Sequence, residues 1–160
     1  MAKSRTSFKG STIILTAALV LMIFAYIIYI DINNTPQKTL EDFYHAVYVT
    51  SNLEDMENCL VEEYKYYFEQ AMTMAGMQPK FYESYKEEAQ KLLGNNIEIS
   101  IKIIEMKNRG NIINVAYEIS MTGDNNHMTY YNALDMLKIN GKWYMTTHIE
   151  LPIGRNVYAY

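Results

Sequence analysis

The hydrophobic periodicity changes once along the chain, near Asn96, and this change limits the folds that the chain can adopt. Before it, apolar residues recur at three- and four-residue spacing, which is typical of amphipathic helices. After it, apolar and polar residues alternate, which is typical of half-buried strands. Three helices followed by four sequential antiparallel strands predict an α+β fold, with the helices packed on one face of a curved sheet.

Helix-start and helix-stop signals divide the helical half into three predicted helices. Pro36 begins the first helix, and Thr35 is expected to be its N-cap. Asn52 can cap the second helix, which is expected to continue to Gly76, and Pro79 opens the third. The expected buried positions are Leu40, Phe43, Tyr44, Val47 and Tyr48, then Leu53, Met56, Leu60, Tyr64, Tyr67, Ala71 and Met74, then Phe81, Tyr85, Ala89 and Leu92.

Polar turns at residues 108–111, 122–126 and 140–141 separate the four predicted strands. Asn140-Gly141 is a strong signal for a two-residue hairpin loop. We therefore expect Ile139 to pair with Lys142, and Leu137 with Tyr144.

The same register gives Gly141 and Trp143 structural roles. Trp143 would share a face with Met136 and Met145, and we expect this face to be buried. The fourth strand is expected to extend to Leu151.

An uncharged segment over residues 10–30 precedes the helical half. As a helix it would span roughly 31 Å, which matches the hydrocarbon core of a bilayer. Because its flanking cations lie on the N-terminal side, the positive-inside rule places the N-terminus in the cytoplasm. No Ala-x-Ala pattern follows the segment, which disfavours a cleaved signal peptide. We therefore expect a single-pass cell-membrane protein with a membrane anchor that includes Ile13, Leu19, Phe24 and Ile28.

These expectations define a domain organisation. It consists of a cytoplasmic tail (1–9), a transmembrane helix (10–30), a linker (31–37) and an extracytoplasmic α+β domain (38–160). The chain has a net charge of −4, which argues against nucleic-acid binding. The expected partners are the lipid bilayer through residues 10–30, other membrane or envelope proteins, and a second copy in a homo-oligomer.

The sequence contains no catalytic motif and no spacing typical of a metal or cofactor site, so no cofactor is expected. Asp135 and His148 would share one sheet face on adjacent strands, where the carboxylate could raise the basicity of the imidazole. This pair is the alternative catalytic site, and a solvated polar face is the simpler interpretation. The single cysteine, Cys59, fits a small buried apolar residue.

Two short motifs carry a family resemblance. Residues 35–46 (Thr-Pro-Gln-Lys-Thr-Leu-Glu-Asp-Phe-Tyr-His-Ala) and residues 139–144 (Ile-Asn-Gly-Lys-Trp-Tyr) resemble the start and the last hairpin of domains in the nuclear-transport-factor-2-like superfamily. The resemblance implies a cone of three helices on a curved sheet. Members of the superfamily include isomerases, dehydratases, ligand carriers and scaffold subunits of bacterial secretion and conjugation machines.

We expect a non-enzymatic, membrane-anchored interaction or scaffold module of the bacterial cell envelope. One setting for such a module is a secretion- or conjugation-type assembly. The alternative is a small-ligand-binding cone or an acid/base enzyme. The ligand-binding and enzyme alternatives require a cone interior that is open and lined by polar groups. The scaffold function is consistent with an interior that is filled by side chains such as Trp143 and Met145.

Overall fold

The computed structural model describes residues 7–74, 81–146 and Ile153. The chain divides into two units, Met1–Asn34 and Thr35–Tyr160. Helix α1 (Ser7–Asn33) belongs to the first unit. The second unit contains α2 (Pro36–His45), a π-helical segment (Ala46–Thr50), α3 (Leu53–Glu57), α4 (Glu62–Met74), α5 (Phe81–Leu93), β1 (Glu98–Arg109), β2 (Ile112–Thr122), β3 (His127–Ile139) and β4 (Lys142–Met145).

The predicted transmembrane helix over residues 10–30 is not supported. Among the described residues, no helix combines the length and the apolar character needed to cross a membrane. The predictions of a single-pass anchor, which was to include Ile13, Leu19, Phe24 and Ile28, and of a cell-membrane location are therefore wrong.

The second unit confirms the predicted α+β architecture. Its four strands form one antiparallel sheet in the order β1-β2-β3-β4. Helix α2 packs against β1 and β4, and α5 packs against the π-helical segment. Helices therefore precede the sheet in sequence and form the layer that covers it.

One face of the sheet, called the inner face here, supplies most of the core. Along β2, every second side chain from Ile113 to Met121 is buried, as the alternation predicts. The helical layer and the inner face together form one cluster. Its members are Leu40, Phe43, Tyr44, Ala46, Val47, Tyr48, Met56, Cys59, Leu60, Tyr85, Ala89, Leu93, Ile97, Ile101, Ile113, Val115, Tyr117, Ile119, Met121, Leu134, Met136, Met145 and Ile153.

The predicted start of the first helix is confirmed, whereas the second predicted helix is broken. Thr35 Oγ1 accepts a hydrogen bond from the Lys38 amide at 3.1 Å, and Pro36 occupies the first turn. Between α3 and α4, Leu60 forms a parallel bridge to Met145. The Met145 amide donates to Cys59 O at 2.9 Å. These bonds cover the edge of β4, and they outweigh the local preference for a continuous helix.

The last hairpin has the predicted register, with Ile139 opposite Lys142 and Leu137 opposite Tyr144. Asn140 and Gly141 both have positive φ, 50° and 86°, which is the backbone of a type I′ turn. The described part of β4 ends at Met145, and the predicted extension lies outside the described residues.

Trp143 is less buried than the sequence predicts. It lies opposite Lys138 and packs against the core while remaining half-buried. The Lys138 ammonium lies 5.3 Å from the centre of the indole ring. Met145, two residues further on, is fully buried. The inner face is therefore closed at Met145 and partly open at Trp143.

Candidate functional site

The space between the helices and the inner face is where a cone pocket would lie. In the part of the chain that the structure describes, buried side chains occupy this space. Tyr44 from α2 and Tyr117 from β2 are both fully buried, and their hydroxyl oxygens are 2.9 Å apart. Tyr48 donates its hydroxyl hydrogen to Ile153 O at 3.0 Å and accepts a bond from the Ile153 amide at 3.1 Å. The polar atoms of these side chains are thus satisfied within the protein.

The aromatic side chains of this interior pack directly on one another. The rings of Tyr44 and Tyr48 are stacked at 6.4 Å, and Phe43 meets Tyr44 edge to face at 5.4 Å. Burial raises the pKa of Tyr48 well above its ordinary value and raises the pKa of Tyr85 to about 12. Both phenols are therefore protonated at neutral pH, and they act as neutral hydrogen-bonding groups.

The structure describes one member of the predicted catalytic pair. Asp135 lies on the outer face of the sheet, opposite Asn114, and Asn114 Nδ2 donates to Asp135 Oδ1 at 2.8 Å. The Asp135 carbonyl oxygen accepts from the Thr146 amide and hydroxyl at 3.0 and 2.9 Å. His148 lies outside the described residues. These hydrogen bonds connect β3 to β2 through Asn114 and to the residue after β4, Thr146.

The other candidate reactive side chains are dispersed. His45 is exposed at the end of α2. His127 is exposed at the start of β3, where its two ring nitrogens each lie 3.0 Å from a threonine hydroxyl. Within residues 7–74 and 81–146, no three metal-binding side chains form a group. The histidines that the structure describes therefore belong to no such group.

Cys59 is buried, as its place beside Leu60 predicts. Its Sγ donates to Asp55 O at 3.4 Å. Burial raises the pKa of the thiol to about 12, so the reactive thiolate is scarce at neutral pH.

The outer face of the sheet carries an apolar row that the sequence reasoning missed. Ile112, Leu137 and Tyr144 lie directly opposite one another on three adjacent strands, and Ile139 follows on β3. We call these four residues the outer row. Ile112 and Ile139 are each 41% exposed. The signal for the row was present, because these apolar residues occupy the polar phase of the alternation near two hairpin loops.

Polar groups border the outer row. Arg109 lies opposite Ile112 at its β1 end, and the Lys142 ammonium lies 5.1 Å from the centre of the Tyr144 ring. Further along the same face, Tyr131 is 65% exposed, and its hydrogen bond with Glu118 raises its pKa. The outer face thus combines exposed apolar and aromatic side chains with charged neighbours.

The chain has low similarity to known proteins. No family model matches the chain, and no curated protein matches it. A solution structure of a SEC-C motif-containing protein from Rhodopseudomonas palustris is similar, with 11% sequence identity and a TM-score of 0.46. The match covers 71% of this chain and 76% of the other. At this level of similarity it carries no argument about function.

Proposed function

We propose that residues 35–160 form a non-catalytic protein-interaction module. The observation that carries the proposal is the filled interior. Binding sites for small molecules are usually clefts of about 300–1,000 Å³ lined by apolar groups and a few convergent polar ones. Here the corresponding positions hold fully buried side chains, including Tyr44, Tyr117 and Met145, and the two tyrosine hydroxyls are bonded to each other.

The surface best suited to a partner is the outer row. Protein interfaces combine an apolar and aromatic centre with a polar rim. The outer row supplies two exposed isoleucines and a tyrosine, and Arg109 and Lys142 supply charge beside them. A partner that covers this row would remove apolar surface from water without requiring a change in the core.

Membership of the nuclear-transport-factor-2-like superfamily is part of the same proposal. Helices that precede four antiparallel strands in sequential order are consistent with the motifs at residues 35–46 and 139–144. The superfamily includes non-enzymatic scaffolds as well as enzymes, and fold alone does not choose between them. The filled interior favours the scaffold role for this chain.

Site-specific photo-crosslinking in the cells that produce the protein tests this function. A photoreactive amino acid would replace Ile112 or Ile139 in the full chain, with Leu92 of α5 as the matched control because it is also exposed and apolar. We expect a discrete protein adduct from both outer-row positions and none from Leu92. Adducts of equal yield at all three positions, or none at the outer row, would contradict the proposal.

The same strains distinguish the protein-interaction function from the catalytic alternative at Asp135 and His148. We expect Asp135→Asn and His148→Gln to leave both the adduct and the cellular role intact. Loss of the cellular role in a chain that still folds and still forms the adduct would instead favour acid/base chemistry at these residues.

A further inference from the structure

The two edges of the sheet differ. The β4 edge is covered by residues 59–61, through the hydrogen bonds between Met145 and the main chain of Cys59 and Val61. In the described part of the chain, β1 pairs with β2 alone. Within the residues that the structure describes, this 12-residue strand therefore presents a free edge. Long free edges are sites where another strand can add to a sheet.

A bulge near the middle of β1 changes which residues share a face. Ile103 lies opposite Tyr117 and Glu105 lies opposite Ala116, so Ile104 is an extra residue. As a result Lys102 and Glu105, three positions apart, both point to the outer face. Without the bulge, the strict alternation of a strand would place them on opposite faces.

We propose that the β1 edge pairs with the β1 edge of a second copy of this chain. The two strands run antiparallel about a twofold axis, with Ile103 of each copy opposite the partner's Ile104, and the two sheets become one of eight strands. Residues directly opposite in an antiparallel pair share a face. The arrangement meets this requirement on both sides of the bulge, because each copy contributes one extra residue, Ile104, next to the twofold axis.

The charges of β1 favour this register. Lys102 lies opposite the partner's Glu105, and Glu98 lies opposite the partner's Arg109. The twofold axis repeats both pairs. Opposite charges across a strand pair stabilise it, and like charges destabilise it. Sliding one copy by two residues places Lys102 opposite the partner's Lys107 in one direction, and opposite the partner's inward-facing Ile103 in the other.

The apolar residues of β1 support the same arrangement. Ile104 and Met106 are 55% and 58% exposed, although Met106 lies on the inner face opposite Val115. In the paired edges, Met106 lies opposite the partner's Ile101, a buried residue of the strand on which α2 packs. The exposed end of each β1 is thus brought beside the covered end of the other.

In the single chain, Glu105 pairs with Lys107 at 3.2 Å, and both side chains are more than half exposed.

Disulfide trapping in the full chain tests the register. Lys102→Cys/Glu105→Cys places two thiols opposite each other across the proposed axis, and Lys102→Cys/Lys107→Cys is the matched control on the same face. Within one strand, residues 102 and 105 are about 10 Å apart, too far for a disulfide. We expect mild oxidation to give a covalent dimer of the first variant, with little from the control. A monomeric first variant, or equal dimer yields, would overturn the proposal.

Charge exchange tests the same edge by a second route. We expect Glu105→Lys to weaken dimerisation by about tenfold or more in sedimentation equilibrium of the full chain, because it opposes two lysines. Lys102→Glu/Glu105→Lys restores the opposite charges and should restore the dimer. Glu87→Lys, on the exposed side of α5, controls for net charge and should have little effect.

Circular dichroism establishes that each variant is folded. Dimerisation unchanged by Glu105→Lys, or not restored by the charge exchange, would overturn the inference. The crosslinking positions Ile112 and Ile139 lie on β2 and β3, whereas the charge and disulfide variants lie on β1, so failure of the β1 pairing and failure of the crosslinking are distinguishable.

Discussion

The hydrogen bond between the hydroxyls of Tyr44 and Tyr117 joins α2 to β2 inside the core. We expect Tyr44→Phe and Tyr117→Phe each to lower the free energy of unfolding by about 1 kcal/mol, the usual net value of such a bond. The double variant should lose less than the sum of the two, because the shared bond is lost only once. Urea denaturation measures all three values.

Tyr130→Phe is the matched control, because its ring is 40% exposed on the same sheet. Its expected effect is within about 0.5 kcal/mol. Strict additivity of the two core substitutions would contradict an energetic link between the hydroxyls.

Burial of the Tyr85 phenol and the Cys59 thiol predicts that the protein is less stable at alkaline pH. The pKa values of Tyr85 and Cys59, ordinarily 10.0 and 9.0, are both raised to about 12. Their protonated forms are therefore favoured by folding. The stability linked to them is complete below the ordinary pKa values, and it is lost as the pH rises through them towards about 12.

We expect the free energy of unfolding to fall from pH 9 to pH 11 in urea titrations. Tyr85→Phe should fall less steeply, because one of the titrating groups is gone. Slopes that are the same with and without the Tyr85 hydroxyl would show that this phenol does not contribute.

At the level of elements, features set by neighbouring residues could be predicted from the sequence. The Thr35 cap and the Asn140-Gly141 turn depend on a few adjacent residues, and both are confirmed. The break before α4 depends on hydrogen bonds to Met145, which is distant in sequence. The helical spacing of Met56, Leu60 and Tyr64 continues through this break, so the sequence pattern did not predict it.

The two inward-facing side chains of β4 should differ in their contribution to stability. Met145 is fully buried, whereas Trp143 is half-buried. We expect Met145→Ala to lower the free energy of unfolding by about 2–5 kcal/mol, the range for buried large-to-small substitutions. Trp143→Ala should cost less, about 2 kcal/mol, because part of the ring already contacts water.

Thermal and urea unfolding of the two variants give this order directly. A larger loss for Trp143→Ala would mean that the indole, rather than Met145, closes this end of the core. That result would support the expectation from the sequence that Trp143 is a buried core residue.

At the scale of the whole molecule, the candidate surfaces were harder to predict than the layers. Periodicity gave the helical and sheet halves, because each buried face leaves a regular pattern. The outer row depends on which strands are neighbours and on their register, and the β1 edge depends on an extra residue, Ile104, at a bulge. Neither can be obtained from one strand considered alone.

The second unit is expected to fold without the first. Every residue of the core cluster lies between Leu40 and Ile153, and residues 35–160 form one compact unit. A chain of residues 35–160 should give a mixed helix and sheet circular dichroism spectrum and a cooperative thermal transition. A matched chain that begins at Gln37 lacks Thr35 and Pro36. It should melt a few degrees lower, because an N-cap contributes about 1 kcal/mol. A gradual, non-cooperative melt of the longer chain would show that residues 1–34 are needed to complete the fold.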